Sequence, residues 1–213
     1  MYHLIHLSIQ YELNFFYSFL IVYNINYIIQ MSLQVIIGCM FSGKSTELIR
    51  RIRRFQSIGK RVRVINHHID DRYGDSGVET HYGDNIKAVK LSKLKNFIER
   101  YKSMECPIDV VCIDEAQFFT DLFDCVKTLV EEYNLQVVVA GLSGDFKRET
   151  FGDIYRLIPL ADDIQLCKAY CKECSDGTLA VFTKRISDEG EQVDIGAADK
   201  YKSVCRKCYL SKR

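Results

Sequence analysis

The sequence is short of three things: proline, net charge and uninterrupted apolar runs. Only two prolines occur in 213 residues, which excludes a Pro-rich linker or recognition tract. The formal net charge is +1, so no strong field marks a nucleic-acid or anionic-membrane partner. The longest apolar run, residues 15–23, is interrupted by Ser18, whereas a helix that crosses a bilayer takes about 20 apolar residues. Residues 1–30 hold no Lys or Arg and one acid, Glu12. A secretory signal needs a positive start and a small-residue cleavage site, and neither is there. The Met at position 31 directly precedes an apolar strand pattern. Residues 1–30 therefore read as a leader or accessory segment, and the fold is expected to begin at Met31.

Cysteine is abundant by contrast. There are nine, an odd number that, without a secretory signal, points to a reducing compartment and a cytoplasmic protein. Cys39, Cys106, Cys112, Cys125 and Cys167 are scattered. The other four form two C-x-x-C knuckles, Cys171 with Cys174 and Cys205 with Cys208, separated by residues 175–204. Four thiolates in two such pairs suit a tetrahedral structural zinc ion with no open position for catalysis. The alternative is four free thiols. The intervening segment is expected to project as a loop anchored at both ends.

A composition of 47% hydrophobic and 27% charged residues fits one globular domain with a core and a small appendage. Four Val/Ile-rich runs, 33–37, 61–65, 109–116 and 136–144, read as strands. Leu48, Ile49, Ile52 and Phe55 recur at helical spacing with arginines on the opposite face, and Gly59 stops that helix. Leu91, Leu94, Phe97 and Ile98 suggest a second helix, and Phe119 to Val130 a third. Residues 66–90 read as an extended loop with short strands. Apolar strands alternating with helices imply α/β, a parallel sheet covered on both faces. The expected division is 1–30, then a P-loop NTPase-like domain over 31–168, then a zinc-ribbon domain over 169–213.

Residues 38–45, GCMFSGKS, fit G-x-x-x-x-G-K-[ST] and lie between an apolar strand and an amphipathic helix, the context that gives the pattern a mechanism. Backbone N–H groups at such a turn, with the helix N-terminus, hold phosphate oxygens. The expected phosphate set is Gly38, Cys39, Met40, Phe41, Ser42, Gly43, Lys44, Ser45 and Thr46. Lys44 would bridge the β- and γ-phosphates of ATP, and Ser45 would face Mg²⁺. The run ending Ile113-Asp114-Glu115 supplies the second half of such a site. Asp114 would hold Mg²⁺, and Glu115 either takes a proton from an attacking hydroxyl or caps a helix beginning near Phe118.

These strings together resemble the type II thymidine kinases. The likeness runs over roughly 32–209, through GCMFSGKST at 38–46, DDRYG at 70–74, DEAQFF at 114–119, GLSGDFKRETFG at 141–152, FTKR at 182–185 and IGAADKYKSVCRKCY at 195–209. It implies transfer of the γ-phosphoryl group of ATP to the 5′-hydroxyl of thymidine, and more weakly of deoxyuridine, with Glu115 as the general base. It implies that Phe118, Leu142 and Phe146 wall the nucleoside. Residues 183–201 match the family's lasso over the base, with Thr183, Gln192, Val193, Asp194, Ile195, Gly196 and Tyr201 lining the thymine pocket and Met40 reaching it from the phosphate loop. The family also implies dTTP as feedback inhibitor and a homotetramer. Cys39 stands where relatives commonly have proline. Residues 175–183 run about two residues longer than in many relatives. Gln192 and Asp194 replace valines, and Ala197 replaces a glycine. Competing readings are a motor-type P-loop ATPase and a nucleic-acid-binding zinc ribbon. The second is weakened because the arginines of 50–54 form the wet face of an amphipathic helix.

Overall fold

The computed structural model describes residues 31–69, 77–79, 85–104, 107–186 and 200–211. The expected leader, the DDRYG string and the pocket residues Gln192, Val193, Asp194, Ile195 and Gly196 lie outside the described residues.

Six parallel strands form the main sheet: β1 (Ser32–Gly38), β2 (Val62–His67), β5 (Val89–Leu91), β6 (Val110–Ile113), β7 (Gln136–Leu142) and β8 (Asp163–Cys167). Their spatial order is β5-β2-β6-β7-β1-β8. β3 (Gly77–Glu79) and β4 (Asn85–Lys87) make a separate antiparallel pair. The inner strands are apolar on both faces because each face is covered. Val35, Val111, Ile113, Val137 and Val139 join a cluster with Leu94, Phe97, Leu122, Val126 and Leu129. The alternate residues Ile36, Val110, Cys112, Val138 and Ala140 pack against Leu48, Ile49 and Ile52. Two faces sharing one strand in alternation is the period-2 geometry of a pleat.

The crossover helices explain which residues bury. α1 (Lys44–Ser57) presents Leu48, Ile49 and Ile52 inward, at the i, i+1, i+4 spacing of a single stripe. α2 (Lys95–Tyr101) begins later than its apolar pattern suggests, because Leu91 belongs to β5. α3 (Leu122–Lys127) runs into a wider π turn, Thr128–Glu132.

Two expectations shift at the end of β6. The strand stops at Ile113 instead of continuing to residue 116. A 3₁₀ turn, Ala116–Phe118, then precedes α3 at Leu122. The cause is Glu115, whose φ of 49° is left-handed; a non-Gly residue there costs roughly 1–3 kcal/mol.

Past β8 the chain leaves the sheet. β9 (Ala169–Tyr170) pairs with β10 (Leu179–Ala180), and β11 (Phe182–Arg185) pairs with β12 (Tyr201–Val204), both antiparallel. A short α4 (Arg206–Leu210) follows. Their shared core is small: Cys39, Ala169, Cys171, Ala180, Val204 and Cys205. Among the described residues no helix is long and apolar enough to cross a membrane.

Candidate active site

The C-terminal ends of β1, β6 and β7 lie side by side, and the candidate residues gather there. Gly38 ends β1 opposite Leu142 of β7, and the Ser143 amide donates to the Gly38 carbonyl (3.2 Å). A Cβ on Gly38 would lie 2.5 Å from both the Cys167 carbonyl oxygen and Ser42 Oγ, so only glycine lets the chain turn here. Residues 39–43 form a tight loop in which Phe41 and Gly43 take positive φ, 63° and 79°. α1 then starts at Lys44.

Polar groups in this loop are poised for a guest. Ser42 Oγ is buried and meets no partner, an arrangement that costs about 1–3 kcal/mol unless something fills it. Lys44 is nine-tenths buried and its Nζ donates to the Cys39 carbonyl at 2.9 Å. An anion entering the loop would offer that ammonium a stronger, charge-assisted acceptor. Thr46 follows on the first turn of α1. An orphaned buried hydroxyl, a buried ammonium and a helix N-terminus together fit a phosphate group.

Asp114 is buried beside this loop. Burial above all, and then the neighbouring Glu115 carboxylate, push its carboxyl up to about 7; the Glu115 N–H, the Ser45 hydroxyl and Lys44 act in the opposite sense. The Ser45 hydroxyl hydrogen-bonds Asp114, which brings a hydroxyl and an acid to one point. A hydroxyl and a carboxylate in contact, with a raised carboxyl pKa that a cation would relieve, fit a magnesium ion.

Glu115 is half-buried and follows Asp114 at the left-handed position. It occupies the cap position of the 3₁₀ turn but makes no side-chain cap bond. Its Oε2 accepts from Gln117 Nε2 at 2.6 Å. Gln117 is a residue the sequence left unremarked. It is buried, and its Oε1 accepts from the Leu142 amide at 3.0 Å. The one sequence signal was a long polar side chain between the apolar Ala116 and Phe118.

The expected nucleoside residues fall into separate contact groups. Phe118 stands edge-on to Phe151 (5.5 Å between centroids) and near His67 (5.7 Å). Phe146 lies under the Arg185 guanidinium at 4.3 Å, and Arg185 Nη2 donates to Tyr201 Oη at 2.8 Å. Arg185 lay within the FTKR string without an assigned role, yet it links two of the pocket residues. Thr183 is buried on β11 and its Oγ1 accepts from the Met40 amide at 3.0 Å, while Cys39 Sγ contacts the Ala180 carbonyl at 3.6 Å. The loop of residues 39–43 is thereby tied to the cysteine-bearing hairpins.

The ligand atoms of Cys171, Cys174, Cys205 and Cys208 all lie within 4.8 Å of one another. Cys174 Sγ is 3.8 Å from Cys205 Sγ and 3.4 Å from Cys208 Sγ. Zn–S bonds of about 2.3 Å in a tetrahedron place sulfurs about 3.8 Å apart. Burial pushes the Cys171 thiol up, but N–H donors from Cys205, Cys174 and Glu173 outweigh it and bring it down to about 6. The thiol of Cys208 is raised, first by its contact with Cys174. Four thiolates this close need a cation to ionise together, so the cluster fits zinc.

Fold and site thus define an α/β protein in which the first strand–loop–helix of a parallel sheet is tied to hairpins that bring four cysteines together. The family model described as thymidine kinase matches residues 31–209. The chain is 41% identical over 181 residues to the cytosolic thymidine kinase of Gallus gallus, covering 85% of this chain and 78% of that one. It is 42% identical over 178 residues to the thymidine kinase of Vaccinia virus (strain Western Reserve), covering 84% and 96%. To that of Fowlpox virus (strain NVSL) it is 38% identical over 181 residues, covering 84% and 97%. The chain belongs to the thymidine kinase family.

Proposed function

We propose that this chain transfers the γ-phosphoryl group of ATP to the 5′-hydroxyl of thymidine, giving dTMP for DNA synthesis by salvage of the nucleoside. The observation that carries the reading is the meeting of a phosphate-type loop with an acid pair, Asp114 and Glu115, in a chain of this family. Gly38 to Thr46 hold the ATP phosphates, with Lys44 leaving the Cys39 carbonyl for the β- and γ-phosphates. Ser45 and Asp114 hold magnesium, which when bound neutralises charge on the phosphates. Glu115 accepts the 5′-hydroxyl proton as the oxygen attacks, and its half-buried position leaves it reachable by a substrate.

Phe118, Leu142, Phe146, Thr183, Tyr201 and Met40 surround the nucleoside, and family likeness supports a role in base binding for Gln192 to Gly196, which lie outside the described residues. Zinc held by Cys171, Cys174, Cys205 and Cys208 anchors that loop. Family membership supports dTTP as feedback inhibitor and a homotetramer for this chain as well. The cysteine usage and the name of the chicken relative support a place in the cytoplasm. The match begins at residue 31, which supports reading 1–30 as lying outside the catalytic fold; the division of that fold into 31–168 and 169–213 rests on the change from parallel sheet to antiparallel hairpins past β8.

The reading is tested by nucleoside-dependent ADP release. Thymidine should drive it, deoxyuridine more weakly, and deoxycytidine close to none, because cytosine reverses two hydrogen-bonding positions and a site built on such bonds rejects the mismatch by up to about 10⁴–10⁵-fold. ADP release independent of nucleoside would favour an ATPase instead. Comparable kcat/KM for deoxycytidine and thymidine would overturn the base assignment alone.

A further inference from the structure

The turn that follows β7 carries Phe146, and its shape is set locally. The Asp145 carboxylate accepts from the amides of Lys147 (2.8 Å) and Glu149 (2.9 Å), and the Asp145 N–H donates to the Glu149 carbonyl (3.0 Å). An aspartate closes a turn on itself by such bonds, and Arg148 takes a left-handed φ of 69° within it. Local bonds fix the shape of a turn but not its place against the rest of the molecule. Contacts from the cysteine-bearing region act on that place. Tyr209 Oη donates to the Phe146 carbonyl at 2.7 Å, and the Arg148 guanidinium lies 4.5 Å from the Tyr209 ring centroid. One side chain thus meets the turn twice, through a backbone carbonyl and through a guanidinium. Tyr209 is itself held firmly. It directly follows Cys208 on α4, and its N–H donates to the Cys205 carbonyl at 2.9 Å. The Cys208 carbonyl accepts from Lys184 Nζ at 2.9 Å, and the Tyr209 ring packs on Phe182 with 5.5 Å between centroids.

We infer that Tyr209 is a positioning residue for the nucleoside: its hydroxyl holds the turn that carries Phe146, and so sets where the Phe146 ring stands against the substrate. The inference rests on the reading of Phe146 as a wall of the nucleoside site. The bond joins residues 63 apart in sequence, and it ends on the residue next to the last of the four cysteines. Order at the sulfur cluster therefore reaches the nucleoside wall through one phenol group. Tyrosine suits the task because it carries a donor at the end of a rigid apolar ring. Phenylalanine would pack on Phe182 and under Arg148 equally well, but it would leave the Phe146 carbonyl to water and the turn free to shift.

The test is a double-mutant cycle of Tyr209→Phe and Phe146→Ala on the full-length protein, read by thymidine Kd from calorimetry, KM for ATP and zinc content. Tyr209→Phe removes one hydroxyl and keeps the ring. It should weaken thymidine binding by about 3–10-fold, the usual scale for one hydrogen bond. KM for ATP should stay within about two-fold of wild type, and zinc per chain should not change. Phe146→Ala should weaken thymidine by itself. In that background Tyr209→Phe should cost less than about two-fold more, because residues that act as a unit are non-additive. Wild-type thymidine affinity in Tyr209→Phe would overturn the inference, and so would full additivity of the two changes. Equal losses for thymidine and ATP, or loss of zinc, would overturn it too, since the hydroxyl would then support the hairpin region as a whole. Unchanged thymidine affinity in Phe146→Ala would remove the wall and the inference together, with the kinase reading left standing. If the wild-type protein neither binds thymidine nor releases ADP in response to it, the proposed function fails and the inference goes with it.

Discussion

The two halves of the site are held by different physics. The phosphate-type loop of residues 38–45 rests on a sheet whose faces bury large side chains, among them Leu33, Ile36, Leu48, Ile52, Ile113 and Phe119, each under 2% exposed. At about 25 cal/mol per Å² of apolar surface, such residues contribute roughly 1.5–3 kcal/mol each. The hairpins from Ala169 onward bury few residues, Ala169, Cys171, Ala180, Val204 and Cys205 around Cys39 of the loop, with Phe182 and Tyr209 half-buried against them, while Tyr170 and Leu179 remain exposed. That core is too small to order four short strands against their chain entropy. The sheet is therefore held by burial, whereas the hairpins combine a smaller core with a cluster of four cysteines that fits zinc. A loop placed by burial is rigid before substrate arrives; a region placed by chelation depends on its ligand.

The largest expected effect separates the two regions outright. Removing zinc with a strong chelator, or Cys208→Ser, should unfold the hairpin region and abolish thymidine binding while the sheet keeps its far-UV signal. Structural zinc in small isolated modules is worth about 10–16 kcal/mol of apparent binding energy. Elemental analysis should find one zinc per chain. Active protein with no metal would erase the contrast between burial and chelation.

Lys44→Ala should then do the reverse, leaving the fold and the zinc in place while turnover falls by about 10²–10³-fold, the usual cost of losing one donor aimed at developing charge. The melting temperature should barely move, since Lys44 spends its ammonium on a carbonyl in its own loop. Near-wild-type turnover would remove the phosphate assignment of the loop.

A smaller effect concerns Asp114. Its folded carboxyl titrates near 7 against an ordinary 3.8, so its contribution to stability is greatest below about 4 and is lost as pH rises towards about 7. Above that pH the ionised, buried carboxylate is ready for a cation; below it, a cation must displace a proton. Magnesium should therefore raise the melting temperature more at pH 8 than at pH 6, and Asp114→Asn should remove the difference. An equal shift at both values would exclude Asp114 from the cation site.

The same contrast decides what could be read from the sequence. β1, β2, β6 and β7 were legible because a strand covered on both faces must be apolar throughout, and the four cysteines because metal ligands need a fixed spacing. β8 was not. It is an edge strand with one neighbour, and Ile164 and Leu166 remain exposed on it, so no continuous apolar run marks it. β5 has three residues, too few for a pattern of its own; it was expected only as one of the short strands within the loop of 66–90, and Leu91 at its end was assigned to the following helix. The end of β6 was overrun because the strand was carried past Ile113 through Asp114 and Glu115 to Ala116, while the left-handed turn that breaks it leaves no mark in residue type. Gln117 and Arg185 were missed for a related reason: each acts through contacts 25 and 16 residues away, which spacing alone cannot supply. Gln192 to Gly196 rest on family likeness.

The smallest expected effect tests the joint between the two regions. Thr183 is 4% exposed, and its hydroxyl accepts from the Met40 amide in the phosphate loop. Thr183→Val keeps the shape of the side chain and removes the acceptor, leaving a partly buried N–H without its partner. That costs about 1–3 kcal/mol, less than losing the metal. Because Met40 belongs to the loop and Thr183 to the hairpin, the loss should be felt on both sides: KM should rise for ATP and for thymidine together, with kcat less affected. Thr183→Ser keeps the oxygen and gives up only a methyl group, so it should hold the ATP side near wild type and weaken thymidine alone. If the two variants raise KM for ATP equally, the hydroxyl is not the tie, and the regions are joined by packing around Cys39 and Ala180 instead.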